Sequence, residues 1–179
     1  MHELVHKRGR RDVSAIFMGH GDHAPVLHAL SHELQLDEYV TFTGWAKSED
    51  VLRYFTAMDI GLSPDPVNGL SEYCTMIKVL EYMAVGKPFV SFDLTATRLI
   101  AQDSGLYATP NRVEDFADKL EILLDDENLR LRLGEIGRHL IETEYNWARS
   151  KEYLLQAYEM LFPSIKQPAR PSLRHIELS

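Results

Sequence analysis

The sequence holds a single cysteine, Cys74, so the chain can form no disulfide with itself, a composition that suits a reducing compartment. No histidine lies near Cys74 in sequence and no nucleophile pattern surrounds it, so we expect the thiol to fill a small semi-buried position. No apolar run approaches the ~20 residues of a membrane span. The opening Met-His-Glu-Leu-Val-His-Lys-Arg lacks a signal-peptide core. Basic residues are in the minority, with 19 Lys and Arg against 27 Asp and Glu and a net charge of −8. This balance argues against a nucleic-acid partner, whose footprint is basic, although a local basic patch can still serve a phosphate. The expectation is a cytoplasmic protein, with work at the inner face of a membrane left open. Internal repeats are absent.

What is present is an ordinary globular content, 45% hydrophobic over 179 residues, enough for one domain with a core. Apolar runs alternate with helical patterns. Strands are expected at 13–19, 39–44, 59–63, 88–92 and 105–108. Helices are expected between them, at 25–34, from Ser48 as a cap, at 75–85 and near Arg98. Such βαβα alternation implies an α/β, Rossmann-like fold: a mostly parallel sheet with helices on both faces. The last third is helical. Asn111 and Glu114 form a capping pair ahead of the first of its helices, and Leu129–Leu140 and Trp147–Leu161 mark the next two. Residues 1–162 are assigned to the domain, and 163–179, with Pro168 and Pro171 and no periodicity, to a flexible tail.

The stretch Leu62 to Phe92, LSPDPVNGLSEYCTMIKVLEYMAVGKPFVSF, carries the chemistry. A strand ends, a loop rich in Pro, Gly, Asn and Asp follows, and a helix begins near Thr75. In a doubly wound sheet, ligands bind outside the carboxyl ends of the strands, where this loop lies. With Thr75 as cap, the amides of Met76, Ile77 and Lys78 would face outward, ready for an anion. Lys78 adds a mobile positive charge. Glu81, one turn on, could accept two hydrogen bonds from a sugar diol. The plainer alternative makes Lys78 and Glu81 an exposed surface ion pair.

The run Met76-Ile77-Lys78-Val79-Leu80-Glu81-Tyr82-Met83-Ala84-Val85-Gly86-Lys87-Pro88 resembles the donor-site helix of the retaining, GT-B-fold family-four glycosyltransferases. The upstream DIGLSPDP, the downstream GLYATPNRVEDFADKL and the C-terminal RLGEIGR and YNWARSKEYLLQAYEML are also similar to that family, so the likeness runs to about Phe162. It implies that amides at Met76, Ile77 and Lys78 hold a donor diphosphate and that Glu81 binds the ribose. A second family glutamate, eight positions earlier, contacts the donor sugar; here that position is Tyr73, and the adjacent Glu72 is the candidate substitute. Glu72 and Lys78 are thus the expected catalytic residues. Gly19-His20-Gly21-Asp22 resembles the family's G-x-G turn, but without the third glycine of a dinucleotide fingerprint it implies no NAD, and alone it is also what a tight strand-to-helix turn needs. Gly44-Trp45-Ala46 matches a loop that meets the nucleotide base, although Trp45 could equally cover a sheet edge.

His28 and His32 stand at a chelating i, i+4 spacing, but no third ligand is evident and Glu33 is one position off a HExxH arrangement, so no metal is expected. His20 and His23 flank the Gly19 turn and are expected at the surface. No cofactor beyond the nucleotide-sugar donor is implied. By resemblance, an acceptor glycan, lipid or small molecule is held by an N-terminal domain that this sequence does not contain. The first strand of the donor domain, with its diphosphate-binding arginine and lysine, is also missing, since Met1 falls in what looks like the following helix. That strand is central in the order 3-2-1-4-5-6, so its loss should leave a gap or force two halves together, with reduced stability. The expected parent activity is glycosyl transfer with retention, the isolated chain being inactive. The alternatives are a non-catalytic nucleotide-sugar or interaction module and a nucleotide-sugar epimerase.

Overall fold

The computed structural model describes residues 1–162; the tail assigned to 163–179 lies outside them. It divides into one unit from Met1 to Glu142 and a second beginning at Thr143.

In the first unit all five expected strands form, each within a residue or two of the sequence bounds. They are β1 (Ala15–Met18), β2 (Val40–Gly44), β3 (Gly61–Ser63), β4 (Phe89–Phe92) and β5 (Leu106–Ala108). Between them lie α1 (Ala24–Glu33), α2 (Ser48–Ala57), α3 (Ile77–Ala84) and α4 (Thr95–Ala101), followed by α5 (Val113–Asp125) and α6 (Glu127–Thr143). Every pairing is parallel. The strands form two sheets, β1-β2 and β3-β4-β5, and among the described residues neither β1 nor β3 has a partner on its other edge. The two sheets are thus separate, with β1 and β3 as edge strands among the described residues.

β4 is buried along its whole length, as expected of a central parallel strand. Its side chains alternate between two cores. Val90 and Phe92 pack with Ala108, Phe116, Leu123 and Leu133, beneath α5 and α6. Phe89 packs the other way with Val79, Met83 and Ala101, beneath α3 and α4. Helices thus cover both faces of the three-stranded sheet. The β1–α1–β2 segment contributes to neither core. Ile16, Phe17, Val26, Leu27 and Leu30 are all exposed there, and α2 buries no residue.

Three close approaches demand glycine. A Cβ on Gly134 of α6 would collide with the carbonyl oxygen of Gly86, one on Gly61 would strike the Tyr82 ring, and one on Gly105 would strike the Phe89 ring. Gly86 itself sits at φ +68 in the turn that ends α3, where Arg138 of α6 donates to the Ala84 carbonyl. At the start of the chain a single π-helical turn, Glu3–Lys7, buries Leu4 and Val5. The Arg8 that follows reaches Asp118 at 2.6 Å and Glu121 at 2.5 Å on α5.

Three expected caps form differently. Lys47, not Ser48, is the N-cap of α2, with no side-chain bond. Met76, not Thr75, precedes α3. The N-cap of α5 is Arg112, because the Asn111 side chain is committed elsewhere: it accepts from Val67 N at 2.8 Å and donates to Val67 O at 3.2 Å. In the second unit α7 (Trp147–Leu161) starts at a true cap, Asn146, whose side chain accepts from Arg149 N at 3.0 Å. No helix among the described residues is long and apolar enough to cross a membrane.

Candidate functional site

β3 ends at Ser63 and the chain enters the Pro-Asp-Pro-Val-Asn loop on the carboxyl side of the sheet. The loop is bound to its surroundings at several points. Asn68 accepts from Leu70 N at 2.9 Å and Ser71 N at 3.0 Å, an Asx turn that makes the 3-10 turn Ser71–Tyr73 possible. Ser71 Oγ donates back to Pro66 O at 2.6 Å. Asn111 clasps Val67 from the β5–α5 side. Glu72 Oε1 accepts from the hydroxyl of Thr95, and its amide lies 3.4 Å from the same oxygen.

This loop leads to the head of α3. The first backbone amide there with an internal acceptor is Val79 N, bonded to Met76 O at 2.9 Å. Among the described residues no protein group accepts from the amides of Met76, Ile77 or Lys78, and no hydrogen bond or ion pair occupies the exposed Glu81 carboxylate. The helix head therefore offers three free donors and the positive end of its dipole, and Glu81 points out of the core one turn along. Thr75 is exposed beside them but does not cap.

Lys78 does not pair with Glu81. Its Nζ donates to both oxygens of Asp65, at 2.8 and 2.7 Å, and Ser63 Oγ donates to Asp65 Oδ2 at 2.6 Å. Burial pushes the Asp65 carboxyl up, but the bonds from Lys78 and Ser63 outweigh it and hold the group below its ordinary value. Below the site, Tyr82 donates to Leu62 O at 3.0 Å, and burial pushes its hydroxyl up to about 12.

The glycine group forms a second cluster. Gly19, at φ +130, donates its amide to Gly44 O at 2.9 Å, and Gly44 sits at φ +63, so the two turns are joined across the ends of β1 and β2. Gly21 lies exposed beyond the turn. Trp45 is 85% exposed and covers no sheet edge; Ala46 beside it is half-buried. No hydrogen bond or ion pair among the described residues joins this cluster to the head of α3. His28 rests on Phe42, with ring centres 4.1 Å apart, and His32 bonds Asp37 at 2.7 Å, so the two rings are used separately. His20 and His23 are exposed. Cys74 is a half-buried free thiol.

From the sequence alone Asp65, Asn68 and Thr95 have no assigned role, and Asn111 has only that of a helix cap. An Asp held between two prolines directly after a strand was the one signal that could have drawn attention to the first.

The family model for glycosyl transferases group 1 matches residues 1–126. The chain is 28% identical over 154 residues to the alpha-D-kanosaminyltransferase of Streptomyces kanamyceticus, covering 85% of this chain and 38% of that protein. It superposes on Anabaena HepE, solved in complex with UDP, with a TM-score of 0.71 at 17% identity, covering 86% of this chain and 42% of that one. It superposes on the C-terminal domain of the group 1 family protein LpcC of Francisella tularensis with a TM-score of 0.66 at 23% identity, covering 82% of this chain and 76% of that domain. A family match over 126 of 179 residues, on parallel sheets shared with GT-B structures, places the chain in the glycosyl transferases group 1 family.

Proposed function

We propose that this chain forms the donor side of an enzyme that transfers a sugar, with retention, from a nucleoside-diphosphate sugar to an acceptor. The observation that carries the reading is the head of α3, where three amides without internal acceptors sit one turn from an exposed carboxylate. Amides fixed in a helix head stabilise charge that grows on a leaving diphosphate, at no reorganisation cost during the reaction. Glu81 is suited to a ribose diol, and Gly44, Trp45 and Ala46 to the base. Glu72 is half-used: one oxygen holds Thr95, and the other is left for a donor-sugar hydroxyl. HepE was solved with UDP, and two relatives are named as GDP-mannose-dependent. Both facts support a nucleoside-diphosphate ligand without fixing the base. The acceptor and any partner domain belong to the whole protein, of which this chain matches about two fifths in its relatives.

Calorimetric titration with UDP, GDP and ADP tests the reading. At least one should bind, and Glu81→Ala should weaken it by about tenfold or more, the loss expected for a hydrogen-bonded charged group. Equal binding by Glu81→Ala would remove the carboxylate from the site.

A further inference from the structure

Asp65 belongs to none of the roles above, yet it holds the one ammonium at the head of α3. Resting on the donor-site reading, we propose that Asp65 is a positioning residue that fixes Lys78 so that its remaining N–H, together with the free amides of the same turn, meets the donor diphosphate.

The argument starts from which partner is rigid. Asp65 lies two residues past β3, between Pro64 and Pro66, whose rings fix their own backbone torsions. Its Oδ2 is held at 2.6 Å by the hydroxyl of Ser63, which is fully buried at the strand end. Lys78 is the mobile partner, a four-carbon stem with three donors and no acceptor. Both Asp65 oxygens take bonds from Nζ, which leaves one N–H uncommitted. That donor belongs to the same residue as one of the three free amides. A phosphate that reaches the amides therefore finds the ammonium already placed, and ordering the stem is a cost met in folding instead of binding. The arrangement exchanges charge for position. An unpaired lysine would offer a full positive charge to a polyanion, whereas the paired one offers a fixed donor in a neutral pair. These alternatives predict opposite signs, so the pair can be tested.

The chain is titrated with UDP and GDP, and with uridine and guanosine as probes lacking phosphate. The variants are Asp65→Asn, which keeps shape, Asp65→Ala, Asp65→Glu, Lys78→Ala and the double variant Asp65→Ala/Lys78→Ala. Thermal melts and circular dichroism verify folding. We expect Asp65→Asn and Asp65→Ala to weaken the diphosphate by about tenfold, through lost preorganisation, and to leave the nucleosides unchanged. Lys78→Ala should lose a similar factor, the double variant no more than Lys78→Ala alone, and Asp65→Glu should recover part of the loss. Unchanged or tighter diphosphate binding by Asp65→Asn overturns the proposal, as do additive losses in the double variant or an equal loss of nucleoside binding. If Lys78→Ala has no effect while Glu81→Ala does, the positioning role fails and the donor site stands. If the wild-type chain binds neither UDP nor GDP, the donor-site reading falls and the proposal with it.

Discussion

Three carboxylates and a tyrosine are among the groups that set how this fold responds to pH. Asp65, held by Lys78 and Ser63 against the opposing effect of burial, titrates below its ordinary 3.8. Asp115, held by the hydroxyl and then the amide of Thr109, also titrates below 3.8, and Glu3, held by Lys7, below 4.5. A carboxyl depressed in the folded state binds protons more readily once the chain unfolds. These three therefore contribute stability that is complete above their ordinary values and is lost as pH falls through the folded ones. Tyr82 works at the other limit. Raised from 10.0 to about 12, it contributes stability that is complete below pH 10 and lost as pH rises toward 12. Denaturant midpoints measured against pH should be level, as far as these groups go, from about pH 5 to 9. They should fall on both sides, and Tyr82→Phe should remove part of the alkaline fall. At this scale the sequence showed least. Glu81 and the amide positions were legible because a motif repeats them. The Lys78–Asp65 pair was not, since its partners lie thirteen residues apart and only the return of the chain from β3 to α3 brings them together. Asn111 was misassigned for a related reason. An Asn three residues before a Glu satisfies a local capping rule, but a longer-range pair with Val67 won the side chain.

Among the elements, α3 and α6 meet with no side chain between them at one point. Gly134 faces the Gly86 carbonyl, and Gly137 lies where a Cβ would come 3.1 Å from Met83 and 3.2 Å from Ser104. Gly134→Ala forces a methyl into backbone, which cannot yield as a flexible side chain would. Overpacking of this kind costs about 1–3 kcal/mol, and chemical denaturation of the variant should show a loss at or above the middle of that range. Gly137→Ala, whose nearest neighbours would lie 3.1–3.3 Å from the added methyl, should lose less. The order of strands and α-helices was legible, because β4 is rich in apolar residues and α3, α5 and α6 keep a helical stripe. Element ends were less legible. Thr75 is a good cap by residue type, yet α3 starts two residues later, since the loop before it is bound by Asn68, Ser71 and Glu72 and sets where helix can begin.

For the molecule as a whole, the buried clusters are confined to one part of the first unit. Val90, Phe92, Leu123 and Leu133 on one side of β4, and Val79, Met83 and Phe89 on the other, all lie between residues 79 and 133. The β1–α1–β2 segment has a two-stranded sheet on which Ile16 and Phe17 are exposed, and sheets that small are marginal alone. Native-state hydrogen exchange should show the amides of β1 and β2 opening at lower free energy than those of β4, as separate cooperative units. Equal protection across both sheets would show that they unfold together. The parallel pairing within each sheet was expected from the βαβα alternation. That both large apolar clusters lie on the β3-β4-β5 side is not legible in the sequence, because exposure of Ile16 and Phe17 depends on what surrounds a strand and not on its own composition.

The contact between Gly86 and Gly134 bears on how load travels through this part of the fold. α3 is eight residues long, a strut of about 12 Å. Its head presents bare amides, and its foot is braced on the α6 backbone, with Arg138 bonded to its last turn. A ligand seated at the head cannot push this helix along its axis without displacing α6, so the far end acts as an abutment that keeps the near end in register.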